Sequence, residues 1–258
     1  MKLLYSWTRS CSICLEVKRW LVAGLLAAFI VAPSYAQDDA PAFLSVGIIQ
    51  VEGGQGPNFE AAVKELQAAR IAAGMPAMQV FMITIGHPNE YHLVTPVASI
   101  AEAESMPPPM PPAEAAVFFS RVTPLVQSAR FFYARIYPEN AIEAPAGSPQ
   151  ADALLLRTVE VAFGRETDFE RWVAEDYVPA LRQTDPLGHT FSRGFVGDSP
   201  LRFYHAYPLA GLESLDAPDP LQEVLSEREY EELFEPLEGI IVSHELVVGT
   251  IRTDLMGQ

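Results

Sequence analysis

The residues with the most chemistry to offer lie in the second half of this 258-residue chain. His189, Phe191, Arg193 and Phe195 alternate with Thr190, Ser192 and Gly194, so in an extended strand the first four share one face. A neighbouring strand-like run carries His205 and Tyr207, and a helix-like stretch before both carries Trp172, Asp176 and Tyr177. If those faces meet, Trp172, Tyr177, His189, Arg193, His205 and Tyr207 line a pocket with an apolar body and a few polar groups. An arginine there binds a carboxylate or enolate, and a histidine moves a proton near neutral pH. A plainer reading of the same residues has Arg193 at the rim of the sheet and both histidines satisfied within the core.

Other groups point to less. His87, Glu90 and His92 form an H-x-x-E-x-H run, and imidazole with carboxylate can ligate zinc. Pro88-Asn89 inside that run reads as turn chemistry, and no third ligand is evident, so no metal site is expected. Nucleophile-elbow, P-loop, dinucleotide and H-E-x-x-H patterns are all missing from the sequence. Phe118, Phe119, Phe131, Phe132 and Tyr133 read as core rather than as a ligand platform.

The N-terminus reads as an export signal. Lys18-Arg19 precede an apolar run from Trp20 to Ala32, Pro33 breaks it, and Ser34-Tyr35-Ala36 offers a cleavage site. The run is shorter than the ~20 residues a spanning helix needs, so residues 1–36 are expected to be removed and the mature chain to begin at Gln37. The only cysteines, Cys11 and Cys14, fall in that leader and receive no role. Cleavage leaves 13 basic and 32 acidic side chains, a net charge of −19. Such a surface repels phosphate backbones and anionic headgroups, which excludes nucleic acid and membrane surfaces as expected partners. The compartment is expected to be periplasmic or extracellular.

An internal repeat orders the rest. Shifted by 110 residues, Leu44–Gly86 lies on Leu154–Val196, matching Val51 with Val161, Gly54 with Gly164 and Phe59-Glu60 with Phe169-Glu170. After a two-residue insertion in a turn, an offset of 112 aligns Pro96 with Pro208 and Pro124-Leu125 with Pro236-Leu237, and is expected to hold to the end. Each copy reads as βαββαβ, a ferredoxin-like unit with an antiparallel sheet and helices on one face. The expected organisation is therefore one unit over residues 42–138, a Pro/Ala/Gly-rich linker over 139–153 and a second unit over 154–254. Asn58 is expected to cap the first helix, and Thr167 with Glu170 to form a capping box on its counterpart. Pro179 should kink that second helix.

The element order, with Tyr91-His92-Leu93-Val94 and its counterpart Phe203-Tyr204-His205-Ala206, resembles the dimeric α/β-barrel superfamily and is most similar to NIPSNAP-like proteins. The resemblance implies an α+β fold in which two antiparallel sheets face one another, here as a pseudo-dimeric barrel closed within one chain. A haem-binding histidine would be expected on a helix in related haem enzymes, and no helix here offers one, so no cofactor is expected. The resemblance does not transfer an activity. The expected role is binding a small apolar or aromatic molecule, or a protein partner, as a monomer or homodimer. The alternative is a cofactor-independent oxygenase- or isomerase-like enzyme acting on an aromatic substrate in the second unit.

Overall fold

Alternating burial marks the strands, and the computed structural model, which describes residues 41–257, arranges them around one barrel. The leader expected over residues 1–36 lies outside the described residues. The first half runs β1 (Phe43–Val51), α1 (Gly56–Ala72), β2 (Gln79–Ile85), β3 (Glu90–Val97), α2 (Ile100–Ser105), α3 (Pro112–Val122) and β4 (Val126–Ile136). The second runs β5 (Ala153–Val161), α4 (Glu166–Trp172), α5 (Val178–Leu181), β6 (Thr190–Gly194), β7 (Arg202–Leu209), α6 (Pro220–Val224), α7 (Glu227–Phe234) and β8 (Ile241–Ile251). The strands close in the order β1-β3-β2-β8-β5-β7-β6-β4, every neighbouring pair antiparallel.

Each half supplies four adjacent strands, and two short seams join them. At one seam Ala134, Arg135 and Ile136 pair with Gly194, Arg193 and Ser192. At the other, Phe81 to Ile85 pair with Ile251 to Val248. The leading parts of β4 and β8 therefore keep a ladder partner mainly on one side, and residues 127–131 and 242–246 are exposed. The barrel is splayed at that end.

Apolar side chains fill three places. Ile49, Val51, Phe59, Val63, Val80 and Tyr91 pack beneath α1. Val159, Phe169, Trp172, Val173, Phe191 and Phe203 pack beneath α4 and α5. Val46, Phe132, Ala134 and Tyr204 fill part of the barrel interior. Of the aromatic group expected in the core, Phe118 and Phe132 are buried, whereas Phe119 and Phe131 are 58% and 68% exposed. Phe131 points outward and lies over Gly47, where a Cβ would stand 2.9 Å from its ring.

Local chemistry differs from the expectation at several helix ends. Gln55, not Asn58, stands at the start of α1, and the Asn58 amide donates to Gln55 Oε1. Thr167 and Glu170 lie inside α4, which starts after Arg165, so they form no capping box. A capping box does occur at Ser226 and Glu229, where it starts α7 and separates it from α6. At Pro179 the helix continues through a π turn over Val173–Tyr177, which widens the hydrogen-bond spacing where the proline ring would clash with the turn before.

Strand pairing also departs from the register expected of a repeat. Val80 lies beside Leu93 and Phe191 beside His205, so β2 and β6 correspond at an offset of 111 rather than 110. His189 thus matches Met78, and Arg193 matches Met82. Ala129 lies beside Ile49 and His244 beside Val159, which puts β4 and β8 at an offset of 115 rather than 112. The extra residues are Glu238-Gly239-Ile240, with Gly239 at φ +71°.

Each half ends in a short 3-10 turn that reaches across to the other. After β8, Arg252 pairs with Glu60 of α1, and Leu255 is fully buried beneath α1. After β4, Tyr137 donates to Glu170 of α4 at 2.7 Å, and Asn140 is buried against the second half. Arg252 and Tyr91 hold one carboxylate; Arg193 and Tyr137 hold the other. These tails extend the barrel closure beyond the two seams.

Candidate functional site

In the second half, the sheet's outer face meets the helices through polar side chains. An isolated bridge between Ile142 and His189 fixes the entry to β6, with both backbone hydrogen bonds at 2.9 Å. His189 Nδ1 lies 3.1 Å from the Asn140 carbonyl, and its Nε2 lies 3.1 Å from His205 Nδ1. A carbonyl only accepts, so neutral His189 donates from Nδ1, and its Nε2 accepts from His205 Nδ1–H. The Tyr177 and Tyr207 hydroxyls are 2.7 Å apart, and Trp172 stacks on Tyr177 at 5.0 Å. Five of the six residues expected to form a pocket are thereby brought together.

Burial decides the charge state of this cluster. It pushes His189 down to about 4, against the Asn140 carbonyl, which favours the charged form. It pushes His205 well below its ordinary value, with His189 and Arg157 adding to the effect. The Tyr207 phenol is raised well above its ordinary value, again by burial first and then by Tyr177. At neutral pH the cluster is a set of uncharged donors and acceptors.

Arg157 is the one cation beside it among the described residues. Its Cα is registered against His205 on one side and Leu246 on the other, and Leu246 is 46% exposed. The guanidinium Nε is buried without a hydrogen-bond partner, and Arg157 makes no ion pair among the described residues. Arg157 and Tyr207 are half-buried, so the cluster meets solvent through them. Nothing in the sequence reading singled out Arg157. Its signal was a charged residue on the apolar face of β5, in line with Val159 and Val161.

Arg193 stands apart. Its Nε donates to the Pro200 carbonyl at 2.5 Å, its Nη1 pairs with Glu170 at 2.9 Å, and its guanidinium lies over Phe203. It therefore belongs to the ion-pair station at α4. The corresponding region of the first half has Gln67, Met78, Leu93 and Thr95 in place of Tyr177, His189, His205 and Tyr207. There Gln67 bonds the Met78 backbone and the Met256 carbonyl, and Leu255 fills the space.

The barrel interior holds a separate feature: a cavity of about 670 Å³ at the splayed end. On one wall His92 Nε2 lies 2.6 Å from Glu90. Burial works to raise the Glu90 carboxyl, but the His92 hydrogen bond and nearby cations outweigh it and leave it below its usual range. The other wall carries Tyr204, which donates to buried Asp198; Arg202 and Arg130 hold the same carboxylate at 2.8 and 3.3 Å. His87 reaches Glu245 across the β2–β8 seam at 2.7 Å. The turn around Pro88-Asn89 is present, with Asn89 at φ 62°, and no three metal-ligating side chains converge among the described residues. Sequence reasoning saw His87, Glu90 and His92 but missed the cavity they border. The available signal was polar residues at alternate positions of β3 and β7, Glu90 with His92 and Arg202 with Tyr204.

No family model and no curated protein matches the sequence. Solved structures do match the fold. A candidate monooxygenase from Lactobacillus acidophilus NCFM superposes with a TM-score of 0.56 at 12% identity, covering 81% of this chain and 93% of the other. An anthrone oxidase-like protein gives 0.56 at 9% identity over 83% and 92%. A mutant chlorite dismutase from Candidatus Nitrospira defluvii gives 0.55 at 10% identity over 84% and 94%. The shared feature is the fold: the chain is an α+β protein with a closed antiparallel eight-strand barrel.

Proposed function

We propose that this is an exported small-molecule-binding protein, whose second half binds an aromatic molecule bearing an acidic group. The observation that carries the reading is Arg157, a cation with a buried, unpartnered Nε beside a hydrogen-bonded cluster of tyrosines and histidines. A carboxylate or phenolate would complete the guanidinium's hydrogen bonds. The ring of such a ligand would meet the aromatic surface of Tyr207 and Tyr177. The first half builds the same fold with Gln67, Met78, Leu93 and Thr95 at these positions and Leu255 as a plug, so the architecture does not require a tyrosine–histidine cluster. Polar groups buried without a structural need are the usual mark of a binding site.

The second reading is a cofactor-independent enzyme acting on an aromatic substrate. It is favoured by the paired imidazoles and by neighbours described as monooxygenase- and oxidase-like. Against it, a histidine held near 4 is a weak proton acceptor at neutral pH. Three finer readings belong with the first. The halves descend from one duplicated ferredoxin-like unit, the chain is related to NIPSNAP-like proteins, and the domains run 42–138 and 154–254 after cleavage of residues 1–36.

Trp172 is the only tryptophan after Gln37, which makes the site directly observable. Titrating the mature protein with aromatic carboxylates and phenols should change Trp172 emission, and Arg157→Gln should weaken that binding ten-fold or more. Native mass spectrometry of protein recovered from periplasm or medium should show mature chains starting at Gln37 and carrying such a molecule. If Trp172 emission responds to no aromatic acid in the panel, the reading is wrong. Turnover of the ligand on incubation would favour the second.

A further inference from the structure

We propose that the barrel-mouth cavity is a second binding site, for an uncharged polyhydroxylated molecule of mono- or disaccharide size. Its volume, about 670 Å³, lies within the range of small-molecule sites. Its chemistry is distinct from that of the helix–sheet cluster. Every carboxylate on these walls already has a partner within hydrogen-bond or ion-pair reach: Glu90 has His92, Glu160 has Arg202 and Glu245 has His87, while Arg202 also holds Asp198 behind the wall. Arg130 joins Asp198 from the opposite seam. An ionic ligand would have to break one of these pairs and leave a charge without its partner. A hydroxyl can instead donate to a carboxylate and accept from a guanidinium while the pairs stay in place.

The walls also change character with depth. Ile48 stands level with His92 and Arg130, and Leu156 and Val247 lie one inward position deeper than Thr158 and Glu245, at the end where Val46 and Phe132 are buried. A sugar ring, with hydroxyls around its rim and C–H bonds on its faces, matches a polar wall above an apolar floor. Both features follow from the inward alternation of β3, β5, β7 and β8, which places polar residues at the mouth and apolar ones deeper in the barrel. The corresponding inward positions on β3 and β7 differ between the halves, Glu90 and His92 facing Arg202 and Tyr204, and each wall offers both kinds of group, Glu90 with Arg130 on one and Glu160 with Arg202 on the other.

The test uses the mature protein and a panel of one disaccharide, one monosaccharide, one dicarboxylate and one diamine, followed by isothermal titration calorimetry and NMR. We expect saccharide binding in the micromolar to millimolar range that changes less than two-fold between low and high salt, because no net charge is neutralised. Ser128→Phe and Ser243→Phe place rings at exposed strand positions lining the mouth and should abolish that binding while the response of Trp172 to aromatic acids persists. Binding only of the dicarboxylate or the diamine, weakened by salt, would overturn the proposal. So would saccharide binding that survives both substitutions, or no saccharide binding at millimolar concentration.

Discussion

His189 and His205 can be judged by what replaces them in the first half, Met78 and Leu93. Changing His205 alone to leucine leaves His189 Nε2 buried with no partner, a cost of about 1–3 kcal/mol. Changing both, to His189→Met and His205→Leu, removes the imidazole pair together and leaves only the Asn140 carbonyl without its donor, so the double variant should be more stable than His205→Leu alone in urea unfolding. The pair also sets a pH dependence. Each histidine binds a proton more readily unfolded, near 6.5, than folded, where His189 lies near 4. Their contribution is full above about 6.5 and is lost as pH falls toward 4. His87, raised first by Glu245, works in the opposite sense, but its pair is exposed and weak. Unfolding free energy measured from pH 7.5 to 4.5 should therefore fall in the wild type and stay nearly flat in the double variant. A flat wild-type profile would contradict the assigned protonation states. The sequence displayed these two histidines on one face, but not the carbonyl and Arg157 that decide their charge.

Elements were legible where period and punctuation agreed. β1 spans Phe43–Val51, because a run rich in β-branched and apolar residues ends at Glu52-Gly53-Gly54. Helix starts were less so: a capping side chain announces a terminus only if the backbone there is free to turn, and at α1 and α4 the turn falls earlier. The closing tails were not legible at all, since Leu255 is one apolar residue in a polar stretch and its site lies beneath α1, far away in sequence. Leu255→Ala should cost about 2–5 kcal/mol, as for other fully buried leucines. A loss below about 0.5 kcal/mol in equilibrium urea unfolding would mean that the tail is a passive end and does not lock the first half.

At the scale of the whole molecule, neither half keeps its own closure. β4 reaches β6, β8 reaches β2, and the Arg252–Glu60 and Tyr137–Glu170 contacts cross between halves. Thermal unfolding followed by Trp172 emission, which reports on the second half, should therefore coincide with unfolding followed by far-UV circular dichroism, which reports on both. Two separated transitions would show that the halves fold independently. The amino-acid sequence by itself determined the strands, their order along the chain and the clustering of polar residues in the second half, because hydrophobic period and turn residues are local properties of a chain. Only the tertiary structure decided that the offset runs 110, 111, 112 and 115 strand by strand, that Arg193 belongs to an ion-pair station, and that Arg157 stands beside the histidines. It also placed Glu90 and His92 across a cavity from Arg202 and Tyr204. The physical reason is the same in each case: these facts depend on which strand lies next to which, and pairing between distant segments leaves little trace in the spacing of either one.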